Sequence, residues 1–228
     1  MIANKKKFFI GLGLMAAFVV VLIIFFSPVF YGRNGLEYLD DLYNSISKGS
    51  AYYIPKLKEE IQPFSGNNVE MTLKLKSVEQ AQQTSLLFQK AGALISLSET
   101  TLKVSGDLGK ILLGCLHDAD AVYLNDGRQV SDKYGYDERA VMYNWWTAAR
   151  EMDKDLKKQK KFKAADTVAA VEKKAVETAY NYYRIEPLKI ADRYGIVIFS
   201  LIFYVIYTVW YGFAFMFMFE GWGMKLEH

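Results

Sequence analysis

The chain has 228 residues, 52% of them hydrophobic, and a formal net charge of +3. That charge is too small for an electrostatic nucleic-acid binder, and the single cysteine, Cys115, excludes an internal disulfide or a cysteine-rich metal site. The length suffices for a hydrophobic core that needs no staples.

Lys5, Lys6 and Lys7 precede Phe8 to Tyr31, an uncharged run reaching about 36 Å if helical throughout. It outruns the roughly 7 to 15 apolar residues of a secretory signal, and its end, Ser27-Pro28-Val29-Phe30, lacks a small-residue cleavage pattern. Residues 8–31 therefore predict an uncleaved signal anchor and first transmembrane helix, with the basic residues holding residues 1–7 in the cytoplasm. After an exit turn, Leu36, Leu39, Leu42, Tyr43 and Ile46 fall at helical spacing, which predicts an amphipathic helix close to the membrane. A short helix over 56–61 follows between Pro55 and Pro63.

Val69, Met71, Leu73 and Leu75 alternate with polar residues, the pattern of a half-buried strand. Ser77 and Gln80 have capping-box spacing and open a helix expected to run to about Leu94, with Val78, Ala81, Ser85, Phe88 and Ala91 on one side. A second alternating run has Thr100, Leu102 and Val104 inward, and Asp107 then caps a helix burying Leu108, Ile111, Leu112, Cys115, Leu116, Ala119 and Tyr123. Two strands joined through the intervening helix would be parallel, and they need cover from helices or from another subunit.

Residues 125–135 read as a Gly- and Asp-rich loop. Asp137 or Ser131 then caps a helix carrying Val141, Trp145, Ala148, Ala149 and Met152, and a second helix over 164–185 aligns Val168, Val171, Ala175, Ala179 and Tyr182. Together they predict a helical hairpin with a basic tip. Pro187 suits the first turn of an amphipathic lead-in to Tyr194 to Phe219, twenty-six uncharged residues of which fourteen are Ile, Leu, Val or Phe. Those fourteen supply roughly −4 to −8 kcal/mol of insertion free energy, and residues 188–219 form the second predicted span. Residues 220–228 return to the cytoplasm, ending in Leu226-Glu227-His228, which reads as a tag remnant.

The expected fold class is thus a mainly α membrane protein: two transmembrane helices flanking an α-rich α+β extracytoplasmic domain, residues 32–187, with a small two-strand β-α-β-α element. His117, Asp118 and Asp120 are the only cluster with metal-ligand chemistry, and a solvated helix face is the better account of them. No nucleophile elbow or phosphate loop occurs, so no catalytic residue, cofactor or metal is expected. The interaction candidates are Trp145 and Trp146, which as helix neighbours face different ways, and Lys157, Lys158, Lys160 and Lys161 at the hairpin tip. Tyr180, Tyr182, Tyr183, Tyr31 and Tyr194 resemble an outer aromatic belt, with Trp222 at the inner interface. Gly13 and Ala17 in the first span, with Thr208 and Gly212 in the second, permit close helix packing.

These elements point to a non-enzymatic two-span protein of a bacterial inner membrane, both termini cytoplasmic. Its periplasmic domain would scaffold or sense within an envelope complex, self-associating and taking the bilayer and an envelope protein as partners, with no nucleic acid. The alternative is an oligomeric channel whose pore is lined by Ser200, Tyr204, Thr208 and Tyr211. A hydrolase built around His117 is a third reading.

Overall fold

A computed structural model describes residues 2–224, so the tag-like Leu226-Glu227-His228 lies outside the described residues. The chain is mostly helical and divides into two compact units, residues 1–46 with 187–228, and residues 47–186.

The first unit is a helical hairpin of α1 (Lys5–Phe26) and α10 (Ile190–Trp222), with the start of α2 (Gly35–Ser50). Asn4 caps α1 by accepting from the Lys7 amide at 3.1 Å. The helix stops at Phe26, short of the predicted Tyr31: the Ser27 hydroxyl donates back to the Ile23 carbonyl at 2.6 Å and Pro28 has no amide to continue the ladder. Likewise α10 begins at Ile190, three residues beyond Pro187, with Lys189 in extended conformation ahead of it. Both helices are long and apolar enough to cross a membrane, and only 11% of the most apolar stretch of α1 and 6% of that of α10 is buried, unlike the core helix of a soluble body.

Contact between α1 and α10 runs through Gly11, where an added Cβ would meet the Met218 amide at 2.6 Å and the Ala214 carbonyl at 2.8 Å. Gly13 and Gly212, expected at that contact, both face open space. The difference is one of helix phase, since Gly11 and Gly13 point about 200° apart. Phe18 fills the middle of the seam, stacked on Tyr207 at 4.6 Å, while the Trp210 indole donates to the Leu14 carbonyl at 3.1 Å. Lys7, near the start of α1, and Glu220, near the end of α10, pair at 2.6 Å.

The second unit has its own core. After α3 (Ile54–Glu60) come β1 (Asn68–Lys74), α4 (Val78–Lys90), β2 (Leu94–Ser98), β3 (Thr101–Asp107) and α5 (Leu108–Tyr123). They are followed by α6 (Gly127–Tyr134), α7 (Glu138–Lys158), α8 (Phe162–Val171), a π turn (Glu172–Val176) and α9 (Glu177–Tyr182). The sheet has three strands in the order β1-β3-β2, with both pairings antiparallel. This corrects the two-strand, parallel expectation. Helix α4 ends four residues early because Gly92, at φ +82°, takes the left-handed conformation that closes a helix, which frees Leu94 to Ser98 to form a strand. A tight turn at Glu99 and Thr100 then folds β3 back between β1 and β2, making a split β-α-β arrangement.

Val69, Met71 and Leu73 of β1 and Leu102 and Val104 of β3 are buried in strict alternation, against a helical layer that includes Leu87, Phe88, Leu108, Ile111, Leu116, Val141 and Trp145. On α4 the buried face has turned to take in Thr84 and Leu87, and Val78, expected inside, is exposed. Ser77, Asp107 and Asp137 cap α4, α5 and α7 as their spacing predicts. The segment 125–135, read as a loop, contains α6 with Val130 and Tyr134 buried. In the second arm of the hairpin, Tyr183 is the buried tyrosine and Tyr182 only partly so: the π turn inserts a residue into the 3.6-residue stripe.

Both chain ends of this unit meet at one buried lysine. The Lys48 amine donates to Asn125 Oδ1 at 2.9 Å and to the Tyr182 and Ile185 carbonyls at 3.1 and 2.6 Å, capping α9. Asn125 in turn accepts from the Arg184 amide at 2.8 Å. Burial pushes the Lys48 pKa below the usual lysine value, against the opposing charge of Glu186.

Candidate interaction surface around Trp146

The His117, Asp118 and Asp120 cluster is divided by its own helix. Asp118 is buried and accepts from Trp145 Nε1 at 2.8 Å, from the Tyr134 hydroxyl at 2.6 Å and from Lys133 Nζ at 2.7 Å. Asp120 accepts from the Tyr52 hydroxyl at 2.7 Å and from Lys58 at 2.8 Å. Burial first, then the neighbouring Asp118 charge, pushes the Tyr134 hydroxyl far up; burial and Asp120 push Tyr52 up to about 12. Both carboxylates are therefore committed to protein donors, and no group of three metal-ligating side chains forms among the described residues. His117 stands exposed at the rim of an open cleft of about 690 Å³. Cys115 is buried with its thiol pKa raised by desolvation, the state of an inert core thiol.

The two tryptophans are used in opposite ways. Trp145 is 1% exposed, edge-on to Phe88 at 5.5 Å and bonded to Asp118, so it is a core residue. Trp146 lies on the outer face of α7, partly buried. Its indole donates to Glu177 Oε1 at 2.9 Å and its ring stacks on Tyr143 at 5.7 Å. Arg150 lies over the same ring at 4.7 Å, and Lys76 over the Tyr143 ring at 5.8 Å. Arg139, Tyr143, Trp146 and Arg150 thus form one stripe at spacings of three and four.

Against this stripe runs the π turn with α9. Tyr143, Trp146, Glu177, Tyr180 and Asn181 line a cleft of about 390 Å³, floored by Met142 and Val176. Beneath it Glu172 is buried; desolvation first, then the charge of Glu177, raises its pKa, with Arg150 opposing. Asp153 nearby has one buried oxygen without a hydrogen-bond partner. A π turn and three ring systems meet at this one open groove. It is held from behind by a polar layer between α4 and α7, in which Gln80 donates to Asn144 and Thr147 and Asn144 to Gln83.

The remaining candidates lie apart. Lys157 pairs with Asp153 at 2.9 Å, while Lys158, Lys160 and Lys161 are exposed around the α7–α8 turn. Tyr183, expected in an aromatic belt, is buried and donates to Glu138 at 2.7 Å. In the helical hairpin, Ser200 is buried and bonded to the Tyr43 hydroxyl at 2.6 Å, Thr208 donates to the Tyr204 carbonyl at 2.8 Å, and Tyr211 leans on Phe18 at 5.4 Å. Tyr204 is 67% exposed. Sequence reasoning missed Glu177, Tyr180 and Arg150 as companions of Trp146. The spacing of Arg139, Tyr143, Trp146 and Arg150 carried half of that signal, and the π turn that supplies the other half leaves no mark in composition. No protein-family model matches the chain, and neither a curated protein nor a solved structure is similar to it.

Proposed function

We propose that the chain is a two-span protein of a bacterial inner membrane whose domain, residues 47–186, is a non-enzymatic binding module facing the periplasm. It scaffolds or senses within an envelope complex, and a protein partner docks on the cleft beside Trp146. The observation that carries this reading is the position of that indole: partly buried in the wall of an aromatic cleft and fixed by Glu177, it is a preorganised anchor of the kind that dominates protein interfaces. Asp118 and Asp120 beside His117 are both taken by protein donors, which favours binding over hydrolysis there, and the internally bonded hydroxyls of Ser200 and Thr208 favour it over a channel. A photoreactive residue in place of Tyr180 in native membranes is expected to capture a partner, and Trp146→Ala is expected to abolish the capture. Capture that persists unchanged in Trp146→Ala, or none from Tyr180, would overturn the assignment.

A further inference from the structure

The two edges of the sheet are treated differently. In an antiparallel ladder, residues alternate between those that bond the neighbouring strand and those whose N–H and C=O point away. The Leu75 amide donates to the Thr100 carbonyl at 2.9 Å, which fixes Thr100, Leu102 and Val104 as the residues of β3 bonded toward β1, and Thr101, Lys103 and Ser105 as those bonded toward β2. On β1 the central outward groups are then those of Glu70 and Thr72, flanked by Asn68 and Lys74 at the strand ends. The end of α7 takes one group of each: Gln159 donates to the Glu70 carbonyl at 2.7 Å, and the Thr72 amide donates to Asp155 at 3.4 Å.

On β2 the same alternation leaves Ile95 and Leu97 pointing their backbone groups away from the sheet, and no hydrogen bond to them forms among the described residues. Free edges are normally guarded by a charge, a proline or a bulge, and Leu94-Ile95-Ser96-Leu97-Ser98 carries none. Leu94 is 77% exposed and Leu97 38%.

We propose that this edge pairs with β2 of a second copy, antiparallel about a two-fold axis through Ser96, giving a six-stranded sheet. The strand is complementary to itself in that register. Ile95 falls opposite Leu97 of the other copy and Leu97 opposite its Ile95, so every outward backbone group of both edges is used in four hydrogen bonds. The side chains match as well: Ser96 meets Ser96 on the axis, and each Leu94 lies over a Ser98. No charge meets its own image, and Glu99 falls opposite Ala93, three residues from the other copy's Lys90. A foreign strand would use the same backbone groups but has no claim on this symmetry.

The test uses the full chain in detergent. Ser96→Cys places two thiols across the axis at a Cα separation of about 4.5 Å, within disulfide range, and the native Cys115 is buried. Mild oxidation is expected to convert Ser96→Cys to a covalent dimer, while Thr72→Cys on the β1 edge stays monomeric. Ser96→Lys, at an exposed position that leaves the fold intact, is expected to reduce the protein mass from twice 26.1 kDa to 26.1 kDa in light scattering. A monomeric parent, a dimer indifferent to Ser96→Lys, or equal crosslinking at Ser96 and Thr72 would each overturn the proposal; so would a different protein trapped at Ser96→Cys in place of a second copy.

Discussion

Replacing Asp118 by alanine removes the acceptor shared by Trp145 and Tyr134, both buried, and the partner of Lys133, whose side chain is 34% exposed. Lys133 can turn into water and loses little. Among the described residues the indole N–H and the phenol donate to Asp118 alone, and an orphaned buried donor costs about 1–3 kcal/mol, so the pair predicts a loss of about 2–6 kcal/mol. Asp118→Asn keeps an acceptor oxygen and is expected to lose about half as much. Asp120→Ala serves as the comparison: its partners Tyr52 and Lys58 both reach solvent, and its loss is expected near 1 kcal/mol. Urea unfolding of the full chain in detergent, followed by tryptophan fluorescence, measures all three. A loss below about 1 kcal/mol for Asp118→Ala, or an Asp120→Ala loss equal to it, would refute the view of Asp118 as the polar centre of the core.

Glu172 gives a pH prediction. Its pKa is raised in the fold by burial and by Glu177, so its contribution to stability is present at acid pH and fades as pH rises through the raised value. Glu172→Gln fixes the neutral form and is expected to exceed the parent in thermal stability near about pH 8 and to match it near about pH 4. Trp145→Ala is expected to cost about 3–5 kcal/mol in urea unfolding, as a buried aromatic does, and Trp146→Ala much less while abolishing partner capture. Gly11→Val drives a side chain into the α10 backbone and is expected to lower the melting temperature of the hairpin; Gly13→Val, in open space, is not.

Much of the fold was legible in the sequence. The caps at Ser77, Asp107 and Asp137 use side chains whose chemistry acts within four residues, and Val69 to Leu75 alternates because one face is buried. What escaped depends on contacts distant in the chain. Leu94 and Leu97 stand at a spacing that suits a helix as well as a strand, and only β3 decides between them. Lys48 reads as a solvated residue because its three acceptors come from residues 125, 182 and 185. The choice of Gly11 over Gly13 depends on the rotation of α1, which composition does not record. Of the candidate surface, Trp146 was visible as the neighbour that could not share Trp145's core, whereas Glu177 and Tyr180 join it through a π turn that has no sequence signature of its own.

The proposed function requires that α1 and α10 cross a bilayer and hold residues 47–186 on its outer side. Labelling of single cysteines by a membrane-impermeant thiol reagent tests it most directly, in a Cys115→Ser background. In intact spheroplasts Lys161→Cys is expected to react and Ala3→Cys to react only after permeabilisation. The reverse pattern, or release of the chain from membranes by alkaline carbonate, would contradict it.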